Sequence, residues 1–164
     1  MTVIRRLTVD DAEAWRTIRL RGLQTDPIAF GATYEEGVKR PLDWFRDMLT
    51  GEGPTFAAFD GGSIIGTAGC YFDGGPKATH RGHIWAMYVA PEHRRKGIGR
   101  AVLEAVIAEV MPRVDQLHLG VVTENTSAYN LYRQFGFTAY GIDPRAMRQN
   151  GRDYDLILMV KVLR

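Results

Sequence analysis

Polar and apolar residues alternate over Thr2 to Leu7, a period-two pattern that predicts a first strand. Thr8 and Asp11 then stand at capping-box spacing, and Ala12, Trp15, Ile18 and Gly22 share one face of the helix they open, expected to reach about Leu23. Gln24 to Gly37 holds Pro27, Gly31 and several aromatics without a period, so it reads as irregular. Pro41 suits the first turn of a second helix reaching about Leu49, which Gly51 and Gly53 end. Thr55 to Phe59 and Ser63 to Phe72 are expected strands joined by Asp60-Gly61-Gly62, where glycine supplies the positive φ that a tight hairpin needs. Asp73 to Arg81 reads as a loop. His83 to Ala90 is a fourth strand, and Pro91 stops its ladder because proline has no amide hydrogen.

From Ile98 to Met111 nearly every residue is apolar except Arg100, Glu104 and Glu109, so this helix is expected to be covered by protein around most of its circumference. Leu117 to Thr123 reads as a fifth strand, Thr126 to Gln134 as a short helix ended by Gly136, and the stretches around Phe137 to Ile142 and Tyr154 to Val162 as the last two strands. The order β-α-α-β-β-β-α-β-α-β-β is that of a mixed α/β layer fold, a sheet covered by helices.

Length and composition narrow the class. The 164 residues are 45% hydrophobic, enough for one domain over residues 1–164 with a continuous core. The 21 basic and 19 acidic side chains leave a net charge of +2, too small a field to draw a nucleic acid or an anionic membrane, so neither is an expected partner. No apolar run approaches signal-peptide or membrane-span length, and a cytoplasmic protein is expected. The single cysteine, Cys70, excludes an internal disulfide and a multi-cysteine metal cluster, and in an apolar strand it reads as a small core residue. No metal is expected.

The candidate chemistry lies in Val89-Ala90-Pro91-Glu92-His93-Arg94-Arg95-Lys96-Gly97-Ile98-Gly99-Arg100, where a strand ends, a basic turn with glycines follows and a buried helix begins. The first amides of a helix lack intrahelical acceptors and carry the positive end of its dipole, which makes this turn a diphosphate cradle. Arg94, Arg95, Lys96 and Arg100 add positive potential, and Gly97 and Gly99 let the backbone approach. Spacing rejects two other phosphate loops: there is no Gly-x-x-x-x-Gly-Lys-Ser/Thr run, and Val102 stands where a dinucleotide fingerprint needs its third glycine.

The segment resembles the acetyl-CoA signature of the Gcn5-related N-acetyltransferase superfamily, Arg/Gln-x-x-Gly-x-Gly/Ala after a strand. Asn125-Thr126-Ser127-Ala128-Tyr129-Asn130-Leu131-Tyr132-Arg133-Gln134-Phe135-Gly136-Phe137 is similar to that superfamily's second signature, Asn-x-x-Ala-x-x-Leu-Tyr-x-x-x-Gly-Phe. The resemblance implies a mainly antiparallel, mixed sheet of about seven strands flanked by four helices. It also implies acetyl transfer from acetyl-CoA to a primary amine by direct attack on the thioester.

In such proteins the strands ending at Val89 and Val122 splay apart, so the main chain of Met87 and Val89 is expected to pair with pantetheine, and the Met87 amide to stabilise an oxyanion. Asn125 is expected on pantetheine or as the cap of the next helix. Tyr132 matches the tyrosine whose hydroxyl approaches the coenzyme sulfur, and is the candidate acid. Several members carry a glutamate at the start of the fourth strand where this chain has His83; an imidazole can take a proton near neutral pH, which makes His83 the candidate base, with Glu35 and Glu36 as rivals.

Tyr34, Glu35 and Trp85, with Phe30, Trp44 and Tyr71, are candidates for the acceptor pocket. A small-molecule amine is the expected acceptor; a protein N-terminus or lysine is the alternative. A second copy of the chain is a further partner the resemblance leaves open. A coenzyme-binding sensor without catalysis is a competing class, and retention of Tyr132 speaks against it.

Overall fold

Gly61 and Gly62 hold φ of 56° and 83°, the conformation a two-residue hairpin turn requires. They set β2 (Thr55–Asp60) against β3 (Ser63–Phe72) with Asp60 opposite Ser63. In the computed structural model, which describes residues 1–164, five more strands join them: β1 (Thr2–Arg6), β4 (Arg81–Val89), β5 (Gln116–Val122), β6 (Thr138–Gln149) and β7 (Arg152–Val162). They form one seven-stranded sheet in the order β1-β2-β3-β4-β5-β7-β6. Every neighbouring pair is antiparallel except β4 and β5, which run parallel.

Helices cover both faces. On one side lie α1 (Ala12–Thr25), α2 (Tyr34–Lys39) and α3 (Leu42–Thr50); on the other lie α4 (Ile98–Val110) and α5 (Thr126–Gln134). Burial explains the sides. Val102, Leu103, Val106 and Val110 of α4 close on Leu117, Phe137 and Met159, while Trp15 of α1 and Phe45 of α3 close with Leu7 and Ala57 on the opposite face. Truncating a residue such as Leu103 to alanine costs about 2–5 kcal/mol, because the removed methyl groups leave a cavity in a packed layer. No helix is long and apolar enough to cross a membrane.

Two elements differ from the sequence expectation. The irregular stretch after α1 contains α2, a fifth helix, because Thr33 and Glu36 form a capping box: Glu36 Oε2 accepts from the Thr33 amide at 2.7 Å, and Thr33 Oγ1 accepts from the Glu36 amide at 3.1 Å. The strand expected to stop near Ile142 continues to Gln149, since Asn150 and Gly151, both at positive φ, make a two-residue turn that sets Gln149 opposite Arg152. Pro144 is tolerated within it because β6 is the outermost strand and its register slips between Asp143 and Met147.

The sheet opens in its middle. Only Arg81, Gly82 and His83 of β4 pair with β5, opposite Gln116, Leu117 and His118; beyond His83 the two strands part. Each stays paired on its far edge, β4 to β3 through Val89 and β5 to β7 through Val122. Two unpaired strand edges therefore face each other across a gap.

Candidate functional site

The gap edge on β4 is shaped by a bulge. Thr67 of β3 faces Tyr88 and Gly69 faces Trp85, so Ala68 alone stands opposite Ala86 and Met87. Ala86 takes φ 54°, a conformation that costs a non-glycine residue roughly 1 kcal/mol or more, and its carbonyl is held by Thr67 Oγ1 at 2.7 Å. After the bulge the alternation resumes. The Ala90 amide donates to Ile65 O on β3 at 2.9 Å, so the main chain of Val89, one residue earlier, turns to the gap, and two residues before it that of Met87 does too. The Val89 carbonyl accepts from Arg94 Nε there at 2.9 Å, which leaves the Val89 amide and the Met87 peptide groups at the edge.

At the open end of the gap the turn enters α4. Its first main-chain bond is Ala101 N to Gly97 O at 3.0 Å, and the six preceding amides, Arg95 through Arg100, donate to no protein atom. The backbone that presents them depends on Arg95 at φ 60° and Gly97 at φ 79°. A Cβ on Gly97 would meet nothing within 4 Å, whereas one on Gly99 would lie 3.3 Å from Met87 Cε and 3.6 Å from Leu131 Cδ2. Gly97 thus serves the conformation, and Gly99 the packing of α4 against β4 and α5. Six consecutive free donors running into a helix N-terminus fit an anion of diphosphate size.

The basic side chains divide. Arg94 is turned back, ion-paired with Asp26 and lying over the Tyr88 ring, and Arg100 bonds Gln134 Oε1 at 2.5 Å over Phe135. Lys96 Nζ reaches only its own turn, at Glu92 O, 3.1 Å away, and Arg95 makes no side-chain bond. Arg95 and Lys96 are the cations left to meet an anion directly; Arg94 fixes the edge of β4 instead.

Tyr132 projects from α5 into the core on the α4 side, against the Phe137 ring. Burial pushes its pKa well above that of an ordinary phenol, so it keeps its proton. Asn125 caps α5, its Oδ1 accepting from the Ala128 amide at 3.3 Å, which leaves its NH2 group available.

His83 stands on the other face, at the last pair before the strands part. Its ring stacks on Tyr71 at 4.8 Å and faces His118 at 5.6 Å. Nε2 lies 2.8 Å from Asp73 Oδ1, close but poorly aligned for a ring N–H bond. The close approach of His83, with Arg81 and His118 nearby, holds the Asp73 carboxyl below its usual range, and burial, with Arg81 and His83 nearby, depresses the His118 imidazole. His118 Nε2 sits 2.6 Å from Gln116 Oε1. Asp73 lies in the loop after β3, whereas Gln116 and His118 share β5 two residues apart, so only the fold brings them to His83. Trp85, two residues after His83 on the same face, stacks edge-on with Trp15 and Tyr71.

Of the remaining candidates, Glu36 is committed to the α2 cap, whose bonds from Thr33 lower its pKa. Glu35 is exposed on α2, and Tyr34 packs half-buried against the α1–α3 core. Two cavities lie on this face: one of about 230 Å³ between Tyr71, Trp85 and the end of α3, and one of about 160 Å³ among α1, α2 and α3. No group of three or more His, Cys, Asp or Glu side chains is arranged to hold a metal ion. Cys70 is buried, which lifts its thiol pKa to about 11, as a core residue requires.

This geometry recurs in known proteins. The chain is 29% identical over 137 residues to a mycothiol acetyltransferase of Thermobispora bispora, a match covering 81% of this chain and 45% of that one. The chain thus spans less than half the length of that relative. It is 27% identical to the catalytic subunit of an N-terminal acetyltransferase B complex of Arabidopsis thaliana, over 99% of this chain and 86% of that one. The solved structure of yncA, a putative acetyltransferase from Salmonella typhimurium with its cofactor acetyl-CoA, superposes with a TM-score of 0.87 at 22% identity over 100% of this chain and 95% of that one. The sequence pattern described as "Acetyltransferase (GNAT) family" matches residues 16–137, from mid-α1 to the residue before β6. With three quarters of its residues under that pattern and the gapped sheet in place, this chain belongs to the GNAT acetyltransferase family.

Proposed function

We propose that the chain, acting as one unit over residues 1–164, transfers the acetyl group of acetyl-CoA to a primary amine by direct attack of the amine on the thioester. The observation that carries this reading is the run of six acceptor-free amides from Arg95 to Arg100 at the open end of the gap. Each charge-assisted bond from such a donor contributes about 1.5–3 kcal/mol, so several together hold a diphosphate and leave the gap edge of β4 for the pantetheine arm.

Acetyl-CoA supplies the activated acyl group; the chain supplies position and proton handling. Val89 N–H and the Met87 peptide groups align the arm along β4, and the Met87 amide is aimed where negative charge develops on the carbonyl oxygen. The NH2 group of Asn125 reaches the arm from the α5 side. Tyr132, kept protonated by burial, gives its proton to the departing sulfur, whose own pKa near 8.5 makes this help without being indispensable. On the opposite face His83 takes the proton that the amine must lose; because Asp73 stands at Nε2, Nδ1 is the nitrogen left for that task. Tyr34, Glu35 and Trp85 border the acceptor side.

A small amine is the acceptor that cavities of about 230 and 160 Å³ suit. A peptide N-terminus is the second reading, favoured by the similarity to an N-terminal acetyltransferase subunit over nearly the whole chain. The lone buried Cys70 is compatible with a reducing cytoplasm.

The test is thiol release from acetyl-CoA in the presence of a pooled library of small amines and, separately, short peptides. Amine-dependent thiol is the expected result. Saturable coenzyme binding with no amine- or peptide-dependent thiol would replace the transferase reading with that of a sensor.

A further inference from the structure

Arg19 is the one basic residue of α1 that points into the core beside Trp85. Its guanidinium carbon lies 5.2 Å from the Trp85 ring, 5.6 Å from Phe30 and 5.8 Å from Trp44. Three aromatic faces hold the flat cation in place, yet they offer no hydrogen-bond acceptor. Arg19 forms no ion pair, and its Nη1 is shut off from solvent without a partner. Its charged neighbour is a second cation, Arg40, which lies over Trp44 at 5.0 Å; burial and Arg40 together make the Arg19 charge costly. The one carboxylate nearby, Glu36, is tied to the amide and hydroxyl of Thr33 at 2.7 and 3.2 Å.

A guanidinium carries five donors, and a nitrogen of it shut off from solvent without an acceptor is expensive for the fold. Here the fold fixes the cation, adds another beside it and, apart from Glu36, which the Thr33 cap holds, supplies no anion. Arg19, Arg40, Glu36 and Trp44 line the cavity of about 160 Å³, about five water volumes. That cavity is on the α1–α3 side of the sheet, away from the α4 side occupied by the Tyr132 core, so it is distinct from the diphosphate cradle. Arg19, at its wall, lies over Trp85, which stands two residues beyond the last pair of β4 with β5.

We infer that Arg19, assisted by Arg40, is a carboxylate-binding subsite, and that the acceptor amine carries a carboxylate on a short chain. The planar fork of arginine matches a carboxylate with two parallel bonds, and Trp44 and Trp85 pack against the carbon chain between carboxylate and amine. This rests on the transferase reading and deepens it.

The test compares matched acceptors, a panel of amino acids and the same amino acids as carboxamides, by thiol release from acetyl-CoA. The carboxylate form is expected to be preferred by about 10- to 100-fold in kcat/KM, chiefly through KM, the range of one or two charge-assisted bonds. Arg19→Met should bring that ratio towards one, and Arg40→Gln should lower it by a smaller factor. Equal rates for acid and carboxamide in the unaltered protein, or an unchanged ratio in Arg19→Met, overturn the inference. If Arg19→Met does not fold, the ratio in Arg40→Gln decides in its place. Titration with acetate, read by the fluorescence of Trp44 and Trp85, is independent of turnover. Saturable change in the unaltered protein, lost in either variant, supports the subsite even if no amine is acetylated, a failure that would fall on the transferase reading alone. No fluorescence change counts against the subsite.

Discussion

Replacing Gly97 by alanine separates two roles that one glycine performs. At φ 79° the added Cβ meets no protein atom within 4 Å, so the stability cost is backbone strain alone, about 1–2 kcal/mol. For a chain of this size that lowers the melting temperature by roughly 2–8 °C and leaves it folded. The same methyl group, however, stands within the run of six free amides. Displacing one charge-assisted bond there forfeits about 1.5–3 kcal/mol, a rise in the coenzyme Kd of about 10- to 100-fold. Gly61→Ala is the matched control: it also sits at positive φ, 56°, with nothing within 4 Å, but in the β2–β3 hairpin far from the gap. Thermal melts should give both variants similar losses, while calorimetric titration with acetyl-CoA should weaken only for Gly97→Ala. If both bind the coenzyme as the unaltered protein does, the diphosphate is not held by this turn, and the reading of the site is wrong.

Further expectations concern single side chains. Tyr132→Phe should lower kcat roughly 100-fold or less while leaving the coenzyme Kd unchanged, since the hydroxyl acts on the departing sulfur; a weakened Kd with normal kcat would make it a binding residue. His83→Gln should depress kcat and alter the pH-rate profile without affecting coenzyme titration, and an unaltered profile would assign proton removal to water. Asp11, gripped by Arg5 through two bonds of 2.8 Å, has its pKa lowered to about 2. Its folded value lies below its unfolded one, so its contribution is complete above about pH 4 and fades as pH falls through 2. Asp11→Asn should therefore cost about 0.5–1 kcal/mol in urea melts at pH 7, and a gap as large at pH 2 as at pH 7 would refute the linkage.

Local chemistry was legible in the sequence wherever one residue's backbone or one short period decides the outcome. Gly61-Gly62 specified a hairpin because few other residues take two successive positive φ values, and the apolar run of α4 specified a covered helix. The cradle was readable for the same reason: its donors are consecutive, so sequence order is spatial order. Two signals of equal strength, Thr33-x-x-Glu36 and Asn150-Gly151, were present but masked by the prolines and aromatics around them. They account for α2 and for the length of β6.

Tertiary structure decided whatever depends on residues distant in the chain. The parting of β4 and β5 after His83 goes with the far-edge partners that each strand keeps, β3 and β7, which lie in other parts of the chain. The neighbours of His83 come from two segments far apart in the chain, Tyr71 and Asp73 at the end of β3 and His118 on β5, and the enclosure of Arg19 Nη1 without an acceptor emerges only when α1, the loop at Phe30, α3 and β4 close around it. A sequence declares which donors and charges exist. Only the folded chain determines which are satisfied, because hydrogen bonds and desolvation act over a few ångströms of space, whatever the separation along the backbone.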